Sequence, residues 1–240
     1  MTRRLNDPAL VRAEYADESR LAARAAVWKL TTGPDAQGIA LDAVRAAEPR
    51  RVLEVGCGRG ELAERIQHEV GAEVVAIDQS ERMVELTCTR GIDARIGDVQ
   101  DLSFAAGSFD CAVAAWMLYH VADLDRGLAE LARVLRPGGR LVAITNTELN
   151  MPELWARFGD RAVRVHGFNA ENGEEILRRG FASVERHDVW GTVTFPDWEA
   201  ARGYVGSSIT RRELAEELEP FEGPLVCSRH SVVFVAETAP

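Results

Sequence analysis

The sequence predicts an open α/β fold, a largely parallel sheet whose strands alternate with helices, and three observations support this. Short apolar runs recur at Val52-Leu53-Glu54-Val55, Val74-Val75-Ala76-Ile77 and Cys111-Ala112-Val113-Ala114-Ala115. Apart from Glu54 they are apolar without alternation, as expected for strands buried on both faces. Helix-periodic stretches separate them, and acidic residues or glycines stand where the strands end, at Glu54, Gly56 and Asp78.

In chain order, Asp7-Pro8 opens a helical segment that carries Leu10, Val11 and, after Tyr15, Leu21, Ala25, Trp28 and Leu30. Thr31-Thr32-Gly33-Pro34 breaks it, and Asp35 caps a second helix through Val44. After the first strand come Gly56, Gly58 and Gly60, then a helical pattern from Glu61. Ser80 suits the N-cap of a helix through Met83 and Leu86. A third strand, Asp93 to Ile96, leads into Gly97-Asp98-Val99, and a fourth, Phe109 to Ala115, ends in Trp116-Met117-Leu118-Tyr119-His120. Asp123 caps a helix with Leu124, Leu128, Leu131, Val134 and Leu135 on its apolar face; Arg136-Pro137-Gly138-Gly139 ends it before a fifth strand, Arg140 to Thr145.

The remainder reads as two insertions and two strands. Leu154, Trp155, Phe158, Ala162 and Val165 are near-helically spaced in the first insertion, residues 147–168. A helix, Glu171 to Arg179, and a strand, Val184 to Val189, follow. The second insertion, Phe195 to Leu225, holds two helical stretches, the later one opened by a capping box from Thr210 to Glu213. The last strand is Ser231 to Ala236, and without a crossover helix before it the final pair is expected to be antiparallel.

The strand ends carry the chemistry. Glu54 puts a carboxylate where open α/β sheets bind ligands, which suits a cationic or hydroxyl-bearing ligand better than a pyrophosphate. The glycine spacing departs from G-x-G-x-x-G, since Glu61 stands where the third glycine would fall. Its charge in the first helical turn would repel a bound pyrophosphate. Asp78 is placed to accept hydrogen bonds from ribose hydroxyls, with Ser80 taking the capping role. Asp98 reads equally as a turn residue or as the acceptor for an exocyclic amine. These features point to a nucleoside cofactor with an amino-acid tail.

Residues 51–146, with these motifs, resemble the class I S-adenosylmethionine-dependent methyltransferases, in particular the small-molecule group called methyltransferase type 11. Arg59 departs mildly from the small or hydroxyl residue usual there and leaves the loop intact. The resemblance implies a Rossmann-like, doubly wound sheet of seven strands in the order 3-2-1-4-5-7-6, strand 7 antiparallel, with insertions after strands 5 and 6. It implies S-adenosyl-L-methionine as cofactor and S-adenosyl-L-homocysteine as product. Glu54, Gly56, Cys57, Gly58 and Gly60 would hold the methionine part. Asp78 would bind the ribose, Gln79 and Met83 would flank the adenine, and Asp98 and the Val99 N–H would read it. A carbonyl near Ala115 would meet the amino group. On this basis residues 1–240 form one domain: an N-terminal helical cap (1–49), a cofactor-binding core (50–146), and substrate-side insertions with the C-terminal strands (147–240).

The acceptor is expected over the ends of the first, fourth and fifth strands, near Trp116, Tyr119, His120 and Asn146. His120 is either a general base or part of a family loop that does not touch substrate. Tyr15 and Trp28 are read as lining a lid or as core, and Trp155, Phe158 and Trp198 as shaping an apolar pocket. No metal is expected. The alternatives are a non-catalytic S-adenosylmethionine-binding protein and a nicotinamide-dependent oxidoreductase; Glu54, Glu61, the glycine spacing and Asp98 weigh against the latter.

Composition narrows the partners. A formal charge of −10 disfavours a nucleic-acid substrate. No apolar run approaches the roughly 20 residues that span a bilayer. The first residues, Met1 to Pro8, lack a signal-like apolar stretch, so a cytoplasmic protein is expected. Cys57, Cys88, Cys111 and Cys227 are widely spaced and read as reduced thiols. The oligomeric state is not encoded legibly.

Overall fold

A computed structural model describes residues 6–7, 27–148, 150–162, 167–208 and 211–240. Pro8, the apolar positions from Leu10 to Ala25, Tyr15, Val165 and Thr210 lie outside the described residues.

The described strands form one sheet: β1 (Thr31–Thr32), β2 (Arg51–Val55), β3 (Glu73–Asp78), β4 (Asp93–Ile96), β5 (Phe109–Ala115), β6 (Leu135–Asn146), β7 (Ser183–Phe195) and β8 (Leu225–Glu237). Their order is β1-β7-β8-β6-β5-β2-β3-β4. With β2 to β8 counted as one to seven, this is the expected 3-2-1-4-5-7-6. β8 runs antiparallel to both β6 and β7. The addition is β1, an eighth strand at the edge, where Thr31 and Thr32 pair with Val193 and Thr192. The sequence marks that segment as a helix breaker. Its β-branched threonines suit a strand equally, and a two-residue strand blunts the sheet edge.

Both faces of the central parallel strands β2, β3 and β5 are buried, which accounts for their largely apolar character, whereas the edge strand β4 is mostly exposed. Leu53, Val55, Val75, Ile77, Ala112 and Ala114 pack under α4 (Leu124–Val134) and α6 (Gly173–Leu177) through Leu128, Leu131, Val134 and Leu177. Val52, Val74, Ala76, Val113, Val142 and Ile144 face α1 (Ala36–Ala46) and α2 (Glu61–Arg65). A π-helical turn, Ile66–Val70, extends α2. The three expected caps are present: Asp35 accepts from the Gln37 N–H, Ser80 from Met83 ahead of α3 (Glu81–Cys88), and Asp123 from Arg126.

Two departures shape the carboxyl edge of the sheet and what lies beyond it. Leu135 already pairs with Phe109, and the Arg136–Gly139 turn loops out before Arg140 rejoins opposite Cys111, so β6 begins earlier than expected. β7 and β8 pair along their whole length, from Ser183 with Glu237 to Phe195 with Leu225. Asn146, the end of β6, lies opposite Ser231. Residues Leu225 to His230 and their β7 partners therefore continue past the carboxyl edge of the sheet. There Val193, Phe195 and Cys227 found a separate core with α5 (Pro152–Trp155), α7 (Trp198–Gly206) and α8 (Arg212–Ala215). The two insertions thus build one lobe over the carboxyl edge.

A Cβ at Gly191 would lie 2.2 Å from the Thr32 carbonyl oxygen, so β1 closes on β7 only because residue 191 has no side chain. Gly191→Ala is expected to cost about 1–3 kcal/mol in urea unfolding by displacing β1. A change below about 0.5 kcal/mol would show that β1 does not contribute.

Candidate functional site

At the carboxyl edge the ladder runs one step beyond the strands. The N–H groups of Gly56 and Cys57 donate to the Ile77 carbonyl at 2.8 and 3.1 Å, and Gly97 N–H donates to Asp78 O at 3.1 Å. Gly56 and Gly60 have φ of +68° and +76°. A Cβ at Gly56 would lie 2.8 Å from Met117 Cβ, and one at Gly60 2.7 Å from Thr87 Cγ2. The glycine loop is therefore folded tightly against Met117 and Thr87 as well as open to a ligand.

Two carboxylates sit at the strand tips. Asp78 accepts the Gly58 N–H on Oδ2 and the Ser80 N–H on Oδ1, both at 2.9 Å. Ser80 caps α3 as expected, but Asp78 is not free: it ties the glycine loop to β3. Burial raises its pKa, and the backbone donors of Ser80, Gly58 and Gln79 oppose that rise. Glu54 is only 2% exposed. The Ala63 N–H in the first turn of α2 donates to it, yet Oε2 has no partner among the described residues. Burial first, and the nearby Asp78 second, push its pKa up to about 8. A buried acceptor lacking a donor, beside a second, half-buried carboxyl, fits a ligand with a cationic N–H group.

A pocket of about 280 Å³ adjoins these tips, lined by Gln79, Gly97, Asp98, Gln100 and His120 and closed by Ile96 and Ala122. Polar side chains beside the aliphatic Ile96 and Ala122 suit a flat heteroaromatic base with hydrogen-bonding edges. The Asp98 carboxylate accepts from both the backbone and side-chain N–H groups of Gln100, so it is a turn residue as well as a pocket wall. Gln100 Oε1 in turn accepts the Asp123 N–H, linking this turn to the cap of α4. His120 stands here beside Gln79 and Asp98, with its ring edge-on to Tyr119 at 4.5 Å.

At the end of β5, Trp116 adopts φ +52°, rare for a residue with a side chain. Its N–H donates to Ile144 O at 2.8 Å, and its indole Nε1–H donates to Asn146 Oδ1 at 3.2 Å.

A family model described as "Methyltransferase domain" matches residues 53–143. An uncharacterized methyltransferase of Mycobacterium bovis is 32% identical over 188 residues, 70% of this chain and 71% of that protein. The chain belongs to the class I S-adenosylmethionine-dependent methyltransferases, in the type 11 group. An uncharacterized 37.1 kDa transposon protein of Streptomyces fradiae is 39% identical over 187 residues; the chain spans 54% of its length. A ubiquinone biosynthesis O-methyltransferase of Xanthomonas oryzae is 39% identical over 102 residues, 40% of this chain and 42% of that one. Among solved structures, the N-methyltransferase NodS of Bradyrhizobium japonicum, in complex with S-adenosyl-L-homocysteine, superposes with a TM-score of 0.60 at 20% identity, covering 99% of this chain and all of that one. Its likeness is one of fold.

The structure gives the surroundings of several expected site residues. Met83 is fully buried, so it offers no surface to a base. Trp155 and Phe158 are buried in the lobe's own core, with the Arg211 guanidinium 3.6 Å over the Trp155 ring. Trp198 donates its indole N–H to Leu218 O within that lobe. Trp28 starts a short 3₁₀ turn, Trp28–Leu30. The Cys57 thiol is buried beside Thr87, its pKa pushed up chiefly by burial. Gln100, Ile96 and Ala122 were missed; the Asp98-x-Gln100 spacing, suited to an Asx turn, was the one available signal for Gln100. Among the described residues no three His, Cys, Asp or Glu side chains gather as a metal site, and no helix is long and apolar enough to cross a membrane.

Glu54 retains its proton in the native state at pH values where the unfolded chain has released it, between its ordinary 4.5 and about 8. Native stability therefore falls as pH rises through that window, and Asp78 adds in the same direction. In ligand-free protein, Glu54→Gln is expected to flatten this fall in urea midpoints. An unchanged slope would remove Glu54 as its source.

Proposed function

We propose that this chain transfers a methyl group from S-adenosylmethionine to a small-molecule acceptor. The observation that carries the proposal is the pair of carboxyls at the tips of β2 and β3, Glu54 buried and Asp78 half-buried, beside a base-sized pocket and a glycine loop. Asp78 would hold the ribose hydroxyls on the lone pairs left over by Gly58 and Ser80. Gln79, Asp98 and the Val99 backbone would hold the base. Glu54, the loop Gly56, Cys57, Gly58 and Gly60, and the Ala115 carbonyl would hold the aminoacyl end. Residues 1–240 would work as one unit, with 1–49 as cap, 50–146 as cofactor core and 147–240 as acceptor side.

When bound, this cofactor supplies a methyl already activated on a sulfonium. The protein's task is to position the acceptor and keep water out. Alignment with reacting atoms about 3–3.5 Å apart can contribute roughly 7–11 kcal/mol. The pocket position of His120 supports a role as a wall for the base, in place of the general-base role its sequence neighbourhood suggested. Trp116, Tyr119 and Asn146 would face the acceptor beneath the lobe. A small-molecule acceptor accords with the Xanthomonas relative's role in ubiquinone biosynthesis and with the net charge of −10. A cytoplasmic location accords with the same reading.

Calorimetry with S-adenosyl-L-homocysteine tests these assignments. Asp78→Ala is expected to weaken binding about tenfold or more, as for loss of a charged hydrogen-bond acceptor. Near-normal affinity would take the ribose away from Asp78. His120→Ala is expected to weaken the same binding by about threefold to tenfold while leaving turnover at saturating cofactor nearly intact. A fall in turnover with unchanged affinity would return His120 to the role of base.

A further inference from the structure

The Asn146 side chain is held in one orientation by its neighbours. Its Oδ1 accepts two hydrogen bonds, from the Trp116 indole at 3.2 Å and from the Ser231 hydroxyl at 2.7 Å. An indole N–H donates only, so the amide cannot be reversed: its oxygen must face Trp116. Ser231 is fully buried, and its rotatable hydroxyl meets its need for an acceptor at the same oxygen. The two donors come from the flanking strands, β5 and β8, while Asn146 ends β6 between them. Nδ2 is thereby turned away from both, and among the described residues it donates to no protein group. Asn146 is half-buried, at the carboxyl edge where the lobe begins. Trp116, which fixes it, is itself held at both backbone and ring.

We propose that Asn146 reads the acceptor: its Nδ2–H groups bond an oxygen lone pair, carbonyl, carboxylate or hydroxyl, next to the atom that is methylated. This rests on the methyltransferase reading above. The donor is preorganised, since the protein has already fixed the amide, so its entropy is not lost on binding. It is also selective. A fixed donor accepts a partner with a lone pair and is left unpaired by an ammonium or an alkyl group, which have none. The acceptor class is therefore an oxygen-bearing small molecule, such as a vicinal hydroxy or hydroxy-carbonyl compound, in preference to a simple amine.

The test is calorimetry on the full chain saturated with S-adenosyl-L-homocysteine, using catechol and salicylate against benzylamine and indole. At least one oxygen-bearing probe is expected to bind saturably, and more tightly than either nitrogen probe. Asn146→Asp keeps an oxygen for Trp116 and Ser231 and replaces only the donor; it is expected to weaken that probe at least about tenfold while homocysteine-product affinity stays within about threefold. Asn146→Leu repeats the test without added charge. Neither oxygen probe binding, nitrogen probes binding as tightly in the wild type, or probe binding undiminished in both variants would overturn the proposal. Failure of the wild type to take up S-adenosyl-L-homocysteine would instead overturn the functional reading beneath it.

Discussion

The Asp78 carboxylate joins the two halves of the site. One oxygen holds the Gly58 amide and the other the Ser80 amide, so the glycine loop and the β3 turn are fixed relative to one another. These bonds fix a half-buried acid 24 residues downstream of Glu54, whose own carboxyl is enclosed and lacks a donor on one oxygen among the described residues. Two such groups repel, and burial raises the pKa of each, that of Glu54 to about 8. A ligand that brings positive charge and N–H or O–H donors relieves both costs together. On the proposed assignment, the site is thus matched to a cationic nucleoside.

The architecture separates the strand-tip carboxyls from the lobe. The family match, residues 53–143, covers β2 through most of β6 and leaves out the lobe. The lobe has its own core, in which Trp155 packs with Phe158, Tyr204 and the Arg211 guanidinium. It stands on the overhang of β7 and β8 and not on the cofactor loops. Changes inside it can alter the space above Trp116 and Asn146 without disturbing Glu54 or Asp78. Asn146 lies at the boundary, tied to the core through Trp116 and to the overhang through Ser231.

Much of this was legible in the sequence, for identifiable reasons. Strands buried on both faces are apolar throughout, and Asp35, Ser80 and Asp123 announce their helices because capping is local. Glu54, Asp78 and Asp98 were locatable as strand-end acids. What remained hidden depends on tertiary partners. The strand expected over Val184 to Val189 runs on to Phe195, and nothing local shows how its polar run Glu185-Arg186-His187-Asp188 is satisfied: Arg186 and His230 both engage Asp188. Those partners hold the Asp188 carboxyl at a pKa of about 2. Likewise, nothing local tells that Gly58 occupies Asp78, that Met83 is sealed in the core, or that His120 turns toward the base pocket. Trp155 and Phe158 had the right spacing for a helix, but spacing does not say which side of a lobe they line.

The central claim is tested most directly by a crystal structure of the full chain with S-adenosyl-L-homocysteine. The account predicts the ribose on Asp78, the base between Gln79, Asp98 and His120, and the amino end at Glu54 and the Ala115 carbonyl. A ligand lying elsewhere, or a cleft that stays empty at saturating concentration, would contradict it.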